Sequence, residues 1–117
     1  MWPFSRRSKK TSRQSAEASC NFDLSNLETF LARIPGLISS GFGAGEIHRV
    51  VSLAKDMDIN ADEQLEFPIE FQGKAVTLKI QVVMDDYESP DVYFFTVPEL
   101  AQKISDEMGR FVDELGL

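Results

Sequence analysis

Apolar residues recur at two different periods along this chain, and the switch between them confines it to a mixed helix-and-sheet fold. Leu65, Phe67, Ile69 and Phe71 alternate with Glu66, Pro68, Glu70 and Gln72, which is the period of a strand with one wet face. Val76, Leu78, Ile80, Val82 and Met84 continue that period, with Thr77, Lys79 and Gln81 outward. Gln72-Gly73 between the two runs marks a tight hairpin. Pro68 has no amide hydrogen to give a ladder, which places the first strand at a sheet edge. Residues 92–97 supply a third strand.

On either side of these strands the apolar spacing becomes helical. Leu27, Phe30, Leu31 and Ile34 share one face, behind a cap at Asp23 or a Ser25/Glu28 capping box, and Pro35-Gly36 ends the run. A second helix over 46–57 would bury Ile47, Val50, Val51 and Ala54. After Pro98, which suits a first helical turn, Leu100, Ile104, Met108, Phe111, Val112 and Leu115 form a stripe. Thr96 and Glu99 have capping-box spacing at its start. The expected fold is α+β: two N-terminal helices, a three-stranded antiparallel meander, and a long C-terminal amphipathic helix packed on one face of the sheet.

Charge divides the chain more sharply than hydropathy does. Arg6, Arg7, Lys9, Lys10 and Arg13 precede the first acid, Glu17, so 14–117 carries seven basic residues against all nineteen acidic ones. Residues 5–19 hold no large apolar side chain, and this composition predicts a disordered basic leader over 1–21 ahead of one acidic domain over 22–117. At 117 residues there is room for one core. An acidic domain lacks the clustered cations that phosphate contacts need, so no nucleic-acid binding by the folded part is expected.

No export signal is expected of the leader. Ser8-Lys9-Lys10 follows Arg6-Arg7 where an apolar stretch would begin, and Cys20 has no hydrophobic region before it. A single cysteine rules out an internal disulfide and fits a reducing compartment, so a cytoplasmic location is expected. Trp2 and Phe4, with the five cations that follow, are also the composition of a peripheral membrane contact, which makes a membrane-surface adaptor one alternative function.

Three stretches resemble chemical motifs without completing them. Gly41-Phe42-Gly43-Ala44-Gly45 runs into a helix as an anion cradle does, but a helix precedes it and Glu46 stands where phosphate would sit. Asp56, Asp58 and Asn60 open like a calcium loop, yet the sixth and twelfth places hold Ala61 and Phe67 where glycine and a bidentate glutamate are needed. Asn60 is expected instead to cap a short turn against Glu63. The single histidine, His48, lies 28 residues from the single cysteine. That leaves no metal set and no nucleophile–base pair to support catalysis. No cofactor and no metal are expected.

The remaining feature is 92–97, apolar on both faces. With Phe94 toward the core, Tyr93 and Phe95 point to the wet face that Lys79 and Gln81 mark, beside an acidic loop carrying Asp85, Asp86, Glu88 and Asp91. In a simple meander this strand is also an edge, open to a partner strand or to a second copy in a homodimer. The expected function is therefore that of a non-catalytic interaction module, an acidic domain that binds or masks a basic protein partner. Immunity proteins and chaperones share this profile of composition, with no motif in common. A small ligand-binding domain or enzyme of unknown chemistry is the other alternative.

Overall fold

A computed structural model describes residues 16–116. In chain order the elements are β1 (Ala16–Cys20), α1 (Leu24–Leu31), a 3-10 turn (Ile34–Leu37), α2 (Ala44–Asp56), β2 (Asp62–Phe71), β3 (Lys74–Val83), β4 (Asp91–Thr96) and α3 (Pro98–Leu115). The strands form one antiparallel sheet in the order β1-β4-β3-β2.

The hairpin forms as its sequence requires. Gln72 and Gly73 both take positive φ, at 54° and 79°, the backbone that a two-residue turn between twisted strands demands. From it β2 and β3 pair without a bulge, Phe71 opposite Lys74 and Asp62 opposite Val83. Phe67, Ile69 and Phe71 of β2 and Leu78, Ile80 and Val82 of β3 are buried on one face. Val92 and Phe94 of β4 join them, as do Ala18 and Cys20 of β1.

The helices cover that face. α1 buries Leu27, Phe30 and Leu31, α2 buries Ile47, Val50, Val51 and Ala54, and α3 buries Leu100, Ala101, Ile104 and Phe111. Phe30 is the hub, with its ring 5.8 Å from Phe22, 6.0 Å from Phe94 and 5.8 Å from Phe111. Arg33 clamps the 3-10 turn to α3 by donating to Glu107 and Glu114 while its guanidinium lies 4.8 Å from the Phe111 ring centre. Asp23 caps α1 by accepting from the Asn26 amide.

Four expectations are corrected by the structure. The sheet has four strands, because Ala16–Cys20 pairs with β4 from Ala16 opposite Thr96 to Cys20 opposite Val92. Residues 16–20 are thus ordered where composition predicts leader: Ala18 and Cys20 are small, but β4 gives them an apolar face to join. It follows that 92–97 is not an edge. β4 lies between β1 and β3, both of its backbone edges are paired, and neither a partner strand nor a second copy can add there. Finally, Thr96 does not cap α3. Its hydroxyl donates to the Thr77 carbonyl across the sheet, and Val97 precedes Pro98 at the helix start with no side-chain cap.

Candidate interaction face

The second face of the sheet is built by the alternate residues of all four strands, and no described element covers it. Cross-strand register sets these residues in rows. Glu17, Phe95, Lys79 and Glu66 form one row, Ser19, Tyr93, Gln81 and Gln64 the next, and Asp91, Val83 and Asp62 a third. Tyr93 and Phe95 occupy the middle, half-buried by their neighbours and stacked on each other at 6.4 Å with 24° between ring planes. The Lys79 ammonium sits 5.4 Å from the Phe95 ring centre, a cation–π contact worth about 0.5–1 kcal/mol at an exposed site. Among the described residues, four carboxylates, Glu17, Asp62, Glu66 and Asp91, stand around this aromatic centre against one ammonium, that of Lys79.

The structure unites the predicted residues Tyr93, Phe95 and Asp91 on this face and places Asp85, Asp86 and Glu88 on the adjoining loop. That loop is tied down from β1's side. The Asn21 side-chain amide donates to the Ser89 carbonyl at 2.6 Å and to Asp91 Oδ1 at 2.8 Å. Within the loop, Asp86 Oδ1 accepts from the Glu88 amide. Asp91 is held above the usual carboxylate range, chiefly by desolvation and then by the negative charge and hydrogen bond of Asp85, with Asn21 pulling the other way. Asp85, Asp86 and Glu88 remain exposed, as does Tyr87, whose hydroxyl accepts from the Ile59 amide at 3.0 Å. The loop's outer rim is therefore a set of solvated negative charges beside the sheet face.

The other motifs resolve into structural roles. The Glu46 carboxylate accepts from the Gly43 amide at 2.8 Å and so fills the amide cradle at the start of α2 with a negative charge. That bond, with one from its own amide and the charge of Arg49, lowers the Glu46 carboxyl. Asn60 adopts φ 70° and its amide donates to the Met84 carbonyl, pinning 56–61 to the end of β3 as a connector. The Asp62 carboxylate takes the Gln81 amide at 2.8 and 3.0 Å. His48 is exposed, with Nε2 3.2 Å from Ser52 Oγ one turn along α2. Cys20 is buried against the core, and burial, helped by Asp91, pushes its thiol up to about 12, which keeps it protonated and inert at neutral pH.

Sequence reasoning misses Glu17 and Ser19, because composition places both in the leader. The signal is present in the alternation of Ala16, Ala18 and Cys20 with Glu17 and Ser19, a strand period written in small side chains. It also misses Asp62, Gln64 and Glu66 as neighbours of the aromatic pair, a grouping that needs the strand order. Trp2, Phe4, Arg6, Arg7, Lys9, Lys10 and Arg13 lie outside the described residues. Among the described residues no helix is long and apolar enough to cross a membrane. Comparison with protein-family models, curated proteins and solved structures returns no match.

Proposed function

We propose that this protein is a non-catalytic interaction module whose uncovered sheet face binds a basic protein partner. The observation that supports this reading is the face itself: a stacked Tyr93–Phe95 pair at its centre, ringed by Glu17, Asp62, Glu66 and Asp91 and extended by Asp85, Asp86 and Glu88. Aromatic anchors inside a polar, solvent-accessible rim are a common arrangement at protein interfaces. The sign of the rim selects Lys- and Arg-bearing surfaces and speeds their encounter at low salt. Half-burial of the two rings by cross-strand neighbours holds them in fixed orientations, so little side-chain entropy is lost on docking. The partner's contact surface would present cations toward the rim and an apolar or planar group toward the rings.

Affinity capture from source-cell lysate with the full chain, read by mass spectrometry, tests the reading. A basic protein retained in stoichiometric amount by the wild type and lost by Asp85→Lys/Asp86→Lys/Glu88→Lys and by Phe95→Ala supports it. Retention unchanged by both variants contradicts it.

A further inference from the structure

β2 is an edge strand whose two halves are treated differently. At its far end Glu70 points its backbone outward, where its carbonyl accepts from the Ser39 amide at 2.8 Å and its amide donates to the Ser40 carbonyl at 2.9 Å. Because β2 pairs with β3 through all ten residues without a bulge, the outward set alternates from Glu70 through Pro68, Glu66 and Gln64 to Asp62. Pro68 has no amide to offer, and Gly41 packs so tightly there that an added Cβ would lie 2.6 Å from the Pro68 carbonyl oxygen. This half of the edge is closed. At Glu66, Gln64 and Asp62 the outward amides and carbonyls have no backbone partner among the described residues.

The same three residues place their side chains on the uncovered face, since side chain and outward backbone alternate together along a strand. A strand added here would extend that face. Its residues opposite Glu66 and Asp62 would stand four apart, each facing a carboxylate, with the residue between them facing Gln64. A second copy of β2 is disfavoured: antiparallel pairing about Gln64 sets Asp62 opposite Glu66 twice, and like charges directly opposite repel. A strand bearing cations at those two places gains what the self-pair loses.

We propose that residues 62–66 receive an extended segment of a partner as a fifth strand, one with Lys or Arg at positions four apart and small polar or β-branched residues between. This rests on the interaction reading above and assigns the mode of docking: backbone hydrogen bonds to the free half of β2 give affinity, and the carboxylates Asp62 and Glu66 give the choice of sequence. The length is short because Pro68 and the Ser39–Ser40 bridge end the free edge.

The test uses the full chain and a fluorescent synthetic peptide, Thr-Lys-Val-Thr-Val-Lys-Thr, followed by anisotropy. Saturable binding is expected below about 1 mM, with loss on replacing both lysines by Glu. Methylating the backbone nitrogens of the two lysines leaves their charge but blocks the ladder, and should weaken binding by about tenfold or more. Gln64→Pro, which removes one outward amide as Pro68 already does, should act in the same direction. Absence of binding by the parent peptide, or equal binding by the methylated one, overturns strand addition. If Phe95→Ala and the acidic-loop variants still abolish capture of a basic protein, the face reading stands while this docking mode falls. If capture is insensitive to them too, both fall.

Discussion

Cys20 at the end of β1 stands opposite Val92 at the start of β4. This pairing, between residues more than seventy positions apart, turns what reads as an edge into the interior of the sheet. It also carries Glu17 and Ser19 to the flank of Phe95 and Tyr93, so the candidate face depends on it. Ala18, buried opposite Phe94, is the residue through which the pairing is most easily broken. Ala18→Asp buries a carboxylate with no partner and should cost several kcal/mol, read as a lower urea midpoint.

Phe30→Ala tests the core that supports the sheet. Its ring meets Phe22, Phe94 and Phe111 and is fully buried. Truncation should cost about 3–5 kcal/mol in chemical denaturation, with unchanged m-value if the fold is kept. A loss under about 1 kcal/mol would show that the cluster is not the centre of the core.

Gly41 combines φ +103° with near contact to Ile69 Cα and the Pro68 carbonyl oxygen, both 2.6 Å from an added Cβ. Gly41→Ala should therefore destabilise by about 1–3 kcal/mol and release the closed half of β2's edge. Hydrogen exchange at Glu70, whose amide is bonded to Ser40, should quicken in the variant more than exchange at Ile80 in the sheet interior.

Two groups of carboxylates make opposite contributions to pH dependence. Glu107 is lowered by its bonds to Arg110 and Arg33, and Glu114 by its bond to Arg33. Their support is present above the unfolded carboxylate value of about 4.3 and is lost as pH falls through the lower folded values. Arg33→Ala should lower Tm at pH 7 and flatten the acid limb of the Tm–pH curve below about pH 4.5. Asp91 is raised, by desolvation first and Asp85 second. It binds its proton more tightly when folded, so its ionisation weakens the fold as pH rises. Asp91→Asn, which keeps an oxygen for the Asn21 amide, should raise Tm at pH 7, and the gain should fade toward pH 3. A wild-type Tm advantage at pH 7 would contradict this placement of Asp91.

The hairpin and the three helices are legible in the sequence because large apolar residues carry the period at nearly every position: Phe67, Ile69 and Phe71, Leu78, Ile80 and Val82, Leu27, Phe30 and Leu31. β1 is not, because Ala16, Ala18 and Cys20 are small and sit beside a basic, Ser-rich run. Their burial needs distant elements, Val92 and Phe94 of β4 and the C-terminal helix α3. Thr96 shows the same limit at one residue. Its spacing to Glu99 satisfies a capping rule, but the Thr77 carbonyl on the neighbouring strand takes its hydroxyl. For the face, Tyr93 and Phe95 are legible from alternation along one strand, and Asp91 as a member of the acidic loop beside it. Glu17, Asp62 and Glu66 join them only once the order β1-β4-β3-β2 is known.

The most direct measurement is amide chemical-shift mapping on the isotopically labelled full chain, titrated with the basic protein that capture retains. Shifts at Glu17, Ser19, Glu66, Lys79, Gln81, Asp91, Tyr93 and Phe95, weakening as salt is raised, are the predicted result. Shifts confined to the outer surface of α3, or the absence of any retained protein, would contradict a role for the uncovered sheet face.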